Sequence, residues 1–166
     1  MQELLNCSMA TIEQTFLERA IDLSRQGMQN GHGGPFGCVI VKDGKIIGEG
    51  CNEVLIKNDP TSHAEIVAIR KACKTLNNFQ LTGCDVYTSC EPCPMCMGAI
   101  YWARPERVIY ANTKADAAAV NFDDQFIYDE IEKLPVDRRI QFIHVPNDEA
   151  LDVFLEWKNH DERKKY

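Results

Sequence analysis

A chain of 166 residues has room for one ordinary domain, and hiding about 70% of its unfolded surface gives it a core without disulfide staples. Apolar residues at 45% and charged residues at 26% are the usage of a globular protein and exclude disordered, collagenous and membrane classes. A formal charge of -7, from 25 acidic against 18 basic side chains, disfavours nucleic acid as a partner, since phosphate binding draws on Lys and Arg.

In chain order, Ile12, Phe16, Ala20, Leu23 and Gly27, with Leu17 and Ile21 beside them, predict a helix over 11–29. It stops at the glycine-rich run Gly31-His32-Gly33-Gly34-Pro35-Phe36-Gly37. Cys38-Val39-Ile40-Val41 and Ile46-Ile47, joined through Lys42-Asp43-Gly44-Lys45, predict a hairpin turned at Asp-Gly. A polar loop with Asp59-Pro60 leads into a helix from about 62 to 76, followed by a strand at 84–89, a helix at 94–103 and a strand at 107–110. Beyond these, helices are expected near 123–132 and 148–158, around an apolar strand at 140–145. Strands alternating with helices after an opening hairpin predict an α/β class fold, a sandwich of helices about a mixed sheet. The first twenty residues carry Glu3, Glu13, Glu18 and Arg19 and lack the order of a secretory signal. No apolar run approaches the ~18 residues a bilayer span needs, so a cytoplasmic protein is expected.

Eight cysteines suggest a disulfide framework until their positions are read. Cys7, Cys38, Cys51, Cys73 and Cys84 are scattered, whereas Cys90, Cys93 and Cys96 lie three apart, a clustering that favours metal over cross-links. Two junctions then carry the chemistry. Pro60-Thr61-Ser62-His63-Ala64-Glu65 stands at a loop-to-helix junction, and Cys90-Glu91-Pro92-Cys93-Pro94-Met95-Cys96 at a strand-to-helix junction. Each sets polar groups at a helix start, where free N–H groups favour thiolates and zinc. His63, Cys93 and Cys96 would make a neutral zinc site with a fourth position left for water, as in catalytic rather than structural zinc. Glu65, two residues past His63, is placed to take that water's proton and deliver it to a substrate nitrogen.

Blander readings stand beside this one. Ser62 and Glu65 match a capping box, in which Glu65 only satisfies a backbone donor. The three cysteines could instead join Cys84 in a structural zinc site, or hold an iron–sulfur cluster. Neither version has a role for His63 or Glu65. A zinc-stabilised binding module without chemistry would need a fourth protein ligand and would tolerate loss of Glu65.

H-x-E followed by P-C-x-x-C is the signature of zinc nucleobase deaminases. On these motifs the chain resembles the cytidine-deaminase-like superfamily over nearly its whole length. Within it the chain is most similar to the small bacterial guanine deaminases. The carrying stretches are Gly33–Gly37, Asn58-Asp59-Pro60-Thr61, His63-Ala64-Glu65, the cysteine segment through Pro105, and Phe122-Asp123-Asp124. The resemblance implies a three-layer sandwich with a mixed five-stranded sheet, one zinc per chain, and hydrolytic deamination of a purine, guanine to xanthine plus ammonia. It implies one domain over 1–166 and a homodimer in which a C-terminal segment of about 148–166 is exchanged, with Tyr166 over an active site. Asn52 and Asp124 are the expected substrate contacts. Phe36 and Trp102 are offered as walls for a flat base, and the Ala64 N–H as a further donor to the attacking oxygen. The alternatives within the superfamily are a guanosine deaminase and a tRNA adenosine deaminase, the latter disfavoured by the acidic balance.

Overall fold

The computed structural model describes residues 2–164, with side chains from Glu13 onward; Glu3, Cys7, Ile12 and Tyr166 of the expectations above therefore lie outside the described side chains. The chain divides into a unit ending at Asp124 and a second unit, Gln125–Tyr166.

The first unit is built on β1 (Gly37–Lys42), β2 (Lys45–Cys51), β3 (Cys84–Cys90) and β4 (Arg107–Asn112), in the order β2-β1-β3-β4. β1 pairs antiparallel with both β2 and β3, while β3 and β4 run parallel, so the sheet is mixed as expected. Alternation along β1 creates two cores. Cys38 and Ile40 face one layer with Ala64, Ala68, Ala72, Leu81, Val86 and Ala103, whereas Val39 and Val41 face Ala20 and Tyr87 with Phe16, Leu17 and Leu23 packed on them. Helix α1 (Gln2–Gln29) covers that second face, nine residues longer at its start than its apolar stripe predicts.

The opposite face carries α3 (Ala64–Leu76) and, beside it, α4 (Pro94–Ala103). α3 approaches closely because β2 offers Gly48 and Gly50 beneath it. A Cβ at Gly48 would stand 2.5 Å from the Ala68 carbonyl, and one at Gly50 would stand 2.8 Å from that of Ala64. Two short helices escape the periodicity reading: α2 (Val54–Lys57) and α5 (Lys114–Ala118). The latter is opened by a capping box in which Thr113 accepts from the Asp116 N–H and Asp116 from the Thr113 N–H.

The second unit holds α6 (Gln125–Glu132), a 3-10 turn at Pro135–Asp137 and α7 (Asp148–Asn159). The expected fifth strand is absent among the described residues: residues 141–147 carry no strand pairing, and the sheet has four strands rather than five. An apolar run becomes a strand only when a neighbour accepts its backbone hydrogen bonds, and this unit contains no other strand to do so. Ile140, Phe142, Ile143 and Val145 are all exposed. No described helix is long and apolar enough to cross a membrane.

Candidate active site

The starts of α3 and α4 lie on the same side of the sheet, and each is preceded by a residue in extended conformation, His63 (ψ 157°) and Cys93 (ψ 168°). Asp59 shapes the first turn: its carboxylate accepts from the Thr61 N–H (2.8 Å), the Thr61 hydroxyl (2.7 Å) and the Ser62 hydroxyl (2.7 Å). These bonds hold its pKa down at about 2, with Ser62 the largest contributor. Because Ser62 spends its hydroxyl on Asp59, and the cap position belongs to His63, the capping-box account of Glu65 does not hold. At the second junction Pro94 occupies the first turn of α4, where its missing N–H costs nothing, and Cys96 is fully buried one turn from Cys93.

The two junctions converge. His63 Nδ1 lies 3.5 Å from both the Cys93 and the Cys96 Sγ, and one donor atom from each of the three residues falls within 4.8 Å of the others. Cys93 is poised as a thiolate, its pKa lowered to about 4 by a hydrogen bond from Cys96 and by His63, against the opposing effect of burial. The same hydrogen bond and burial push the Cys96 thiol up. Hydrogen bonding to Cys93 also raises the His63 pKa. Glu65, on the first turn of α3, is only 6% exposed, and burial pushes its carboxyl up from the ordinary range.

A cavity of about 550 Å³ opens onto this cluster. His63, Glu65 and Cys93 reach it from one side and Asn52, Phe36 and Asp124 from others, with Gly33, Gly34, Glu91, Lys114 and Phe122 among the other lining residues. Asn52 is buried just past β2, and its Oδ1 accepts from the Val54 N–H at 3.2 Å. Phe36 meets Phe122 edge to face, ring centroids 5.0 Å apart. Partial burial and the neighbouring Cys93 thiolate raise the pKa of Asp124.

Residues 10–112 match the family model described as the cytidine and deoxycytidylate deaminase zinc-binding region. The chain belongs to this zinc deaminase family. It is 57% identical to a guanine deaminase of Bacillus subtilis over 92% of this chain and 98% of that protein, whose crystal structure superposes with a TM-score of 0.90 over the same shares. A tRNA-specific adenosine deaminase of Aquifex aeolicus is 33% identical over 87% of this chain and 93% of that protein. A guanine deaminase structure from Nitrosomonas europaea is 29% identical with a TM-score of 0.63, covering 66% of this chain and 63% of that one.

The donor set fits the ion that the zinc deaminases carry. Tetrahedral zinc with Zn–S of about 2.3 Å and Zn–N of about 2.0–2.1 Å separates a nitrogen from a sulfur by about 3.5 Å. That is the spacing His63 keeps from both thiols. Cys90 and Cys84 do not join them. The Cys90 thiol is pushed up to about 11 by burial and lies 3.6 Å from the Thr113 carbonyl. Cys84 sits in the apolar core, its thiol also raised by burial. Among the described residues the cluster placed to hold a metal ion is His63, Cys93 and Cys96, with Cys84 and Cys90 outside it.

Not every expected residue reaches the cavity. Trp102 is 66% exposed and lines no part of it. Cys96, Ile100 and Ala103 form the buried stripe of α4, and two helical residues from Ile100 turn Trp102 through about 200°, to the far side. Ala64 is fully buried as the first residue of α3, where first-turn N–H groups have no intrahelical acceptor. Glu91, Lys114 and Phe122 line the cavity without having been assigned any role from sequence. The Thr113-x-x-Asp116 box was the available signal for the turn that brings Lys114 there: its backbone N–H donates to the Glu91 carboxylate at 3.0 Å.

Proposed function

We propose that this zinc aminohydrolase converts guanine to xanthine and ammonia, with His63, Cys93 and Cys96 holding the ion and Glu65 moving the protons. The observation that carries the reading is a buried carboxyl, Glu65, opening with the His63–Cys93 pair onto one cavity large enough for a purine. When bound, zinc supplies Lewis acidity that brings the pKa of water to about 7. Glu65 takes a proton from the water that attacks C2 and gives it to the adjacent ring nitrogen. It then takes the remaining proton of the hydroxyl added at C2 and gives it to the departing amine, so that the C2 carbonyl forms as ammonia leaves. Burial suits Glu65 to this exchange, because it raises the carboxyl's pKa and so makes it a stronger proton acceptor than an ordinary carboxylate. The Ala64 N–H, at the start of α3, is a donor to the attacking oxygen.

Asp124 accepts from the N–H-rich edge of guanine, and Asn52 donates to an acceptor of the base. The edge-to-face pair of Phe36 and Phe122 supplies an apolar wall. Guanine, rather than adenosine in tRNA, is supported by the 57% identity to the Bacillus subtilis enzyme against 33% to the Aquifex one, and by the charge of -7. An ammonia-release screen of the zinc-loaded protein against guanine, guanosine, adenine, cytosine, cytidine and a tRNA anticodon stem-loop tests it. Guanine is expected to be turned over fastest; a faster rate on the stem-loop refutes the assignment.

We further propose a cytoplasmic homodimer of single-domain chains, in which segments of about 148–166 are exchanged and Tyr166 closes an active site. The support is the apolar surface of the second unit, where Val136, Ile143, Val145 and Phe154 are each more than 70% exposed. Sedimentation velocity is expected to give a dimer. Deleting the last six residues should lower turnover while sparing zinc, and unchanged turnover removes the role of Tyr166.

A further inference from the structure

We infer that Gly33 is a positioning residue for Asn52: the missing side chain at 33 is the space in which the Asn52 amide lies. The glycine is not there for its backbone, since the positive-φ glycines are Gly31, Gly44 and Gly83. It is there for room. A Cβ built at 33 would come within 2.9 Å of both the Asn52 side-chain Cγ and the Asn52 backbone carbonyl oxygen, and nearer still to Oδ1. No smaller side chain exists to relieve that overlap.

The consequence is chemical as well as steric. A backbone N–H can only donate, so the Val54 N–H at 3.2 Å obliges the amide to present Oδ1 to it. The NH₂ is then the donor that Asn52 holds for a ligand, and the cavity is where Asn52 is open, the residue being 6% exposed. Any side chain at 33 forces the amide to rotate, breaking the Val54 bond and moving the donors together. Gly34 does a separate job beside it: a Cβ there would meet the Phe122 ring at 2.9 Å and the Phe36 ring at 3.0 Å. One glycine thus shapes the hydrogen-bonding floor and the next the aromatic wall.

This inference rests on Asn52 contacting the purine, and the test separates the two ideas. Steady-state kcat and KM for guanine, zinc per chain and thermal midpoint are measured for Gly33→Ala, Asn52→Ala, the double variant, and Gly34→Ala with and without Asn52→Ala. Gly33→Ala and Asn52→Ala are each expected to lower kcat/KM by about 10- to 100-fold with zinc retained. In the Asn52→Ala background, adding Gly33→Ala should cost at least about threefold less than it does alone, because the amide atoms it strikes hardest are gone and the backbone carbonyl oxygen of residue 52 is left. Gly34→Ala, which strikes rings instead, should keep its full effect in that background. Should Gly33→Ala fail to fold, refolding of the double variant carries the same message. Multiplying effects of Gly33→Ala and Asn52→Ala, a wild-type Gly33→Ala beside an impaired Asn52→Ala, or failure of both Gly33 variants to fold would each overturn the role of Gly33 alone. A fully active Asn52→Ala would instead refute Asn52 as a purine contact, leaving Gly33 nothing to position.

Discussion

Glu65→Gln separates proton transfer from every other duty of this side chain. The replacement keeps shape and volume at a position only 6% exposed, so the cavity and the packing of α3 are preserved. It removes the ionisable group, and the loss can be scaled: a positioned acid–base group contributes about 10²–10⁴ in rate, or about 2.7–5.4 kcal/mol of barrier. The fall should appear in kcat at saturating guanine, because the step lost is chemical. Zinc should stay, since the ligand cluster consists of His63, Cys93 and Cys96 without Glu65. Stability should not suffer either. Burial raises the Glu65 pKa, which means the ionised carboxylate is disfavoured in the folded, metal-free protein, and a neutral amide relieves that cost. Ammonia release, metal analysis and a thermal melt read the three quantities. A kcat within about tenfold of wild type, or loss of zinc, refutes the proton-shuttle role.

The cysteines and Asp59 give two further expectations. Cys96→Ser should abolish stoichiometric zinc, whereas Cys90→Ser, whose thiol faces the Thr113 carbonyl, should retain it; metal analysis of both decides between a three-ligand and a four-cysteine site. The Asp59 pKa is lowered in the folded state, from 3.8 to about 2, so its contribution to stability is present above about pH 4 and drains away as pH falls towards 2. Urea denaturation of Asp59→Asn against wild type should therefore show a stability gap at pH 5 that narrows on acidification, and a gap that widens as pH falls contradicts the hydrogen-bond assignment.

Much of the fold was legible locally. The β1–β2 hairpin follows from Asp43-Gly44, where both residues take positive φ, and α4 from Pro94 in its first turn. The failures share one cause. Ile140–Val145 has the composition of a strand and no neighbouring strand in its unit, while Trp102 has the character of a base-stacking residue and the wrong phase on its helix. In both cases residue type was right and placement was set by what lay opposite.

The site divides in the same way. Residue chemistry and short spacing picked out the candidate zinc donors and the carboxyl beside them, because H-x-E and P-C-x-x-C each span one helix start and carry their geometry within a turn. Tertiary structure decided that the two starts meet, bringing His63 within 3.5 Å of thiols thirty and thirty-three residues away, and that Asn52 lies in the space Gly33 leaves. Hydrogen bonds along a helix are local and can be read from a few neighbours, whereas the meeting of distant segments depends on sheet order and on how closely α3 settles over Gly48 and Gly50.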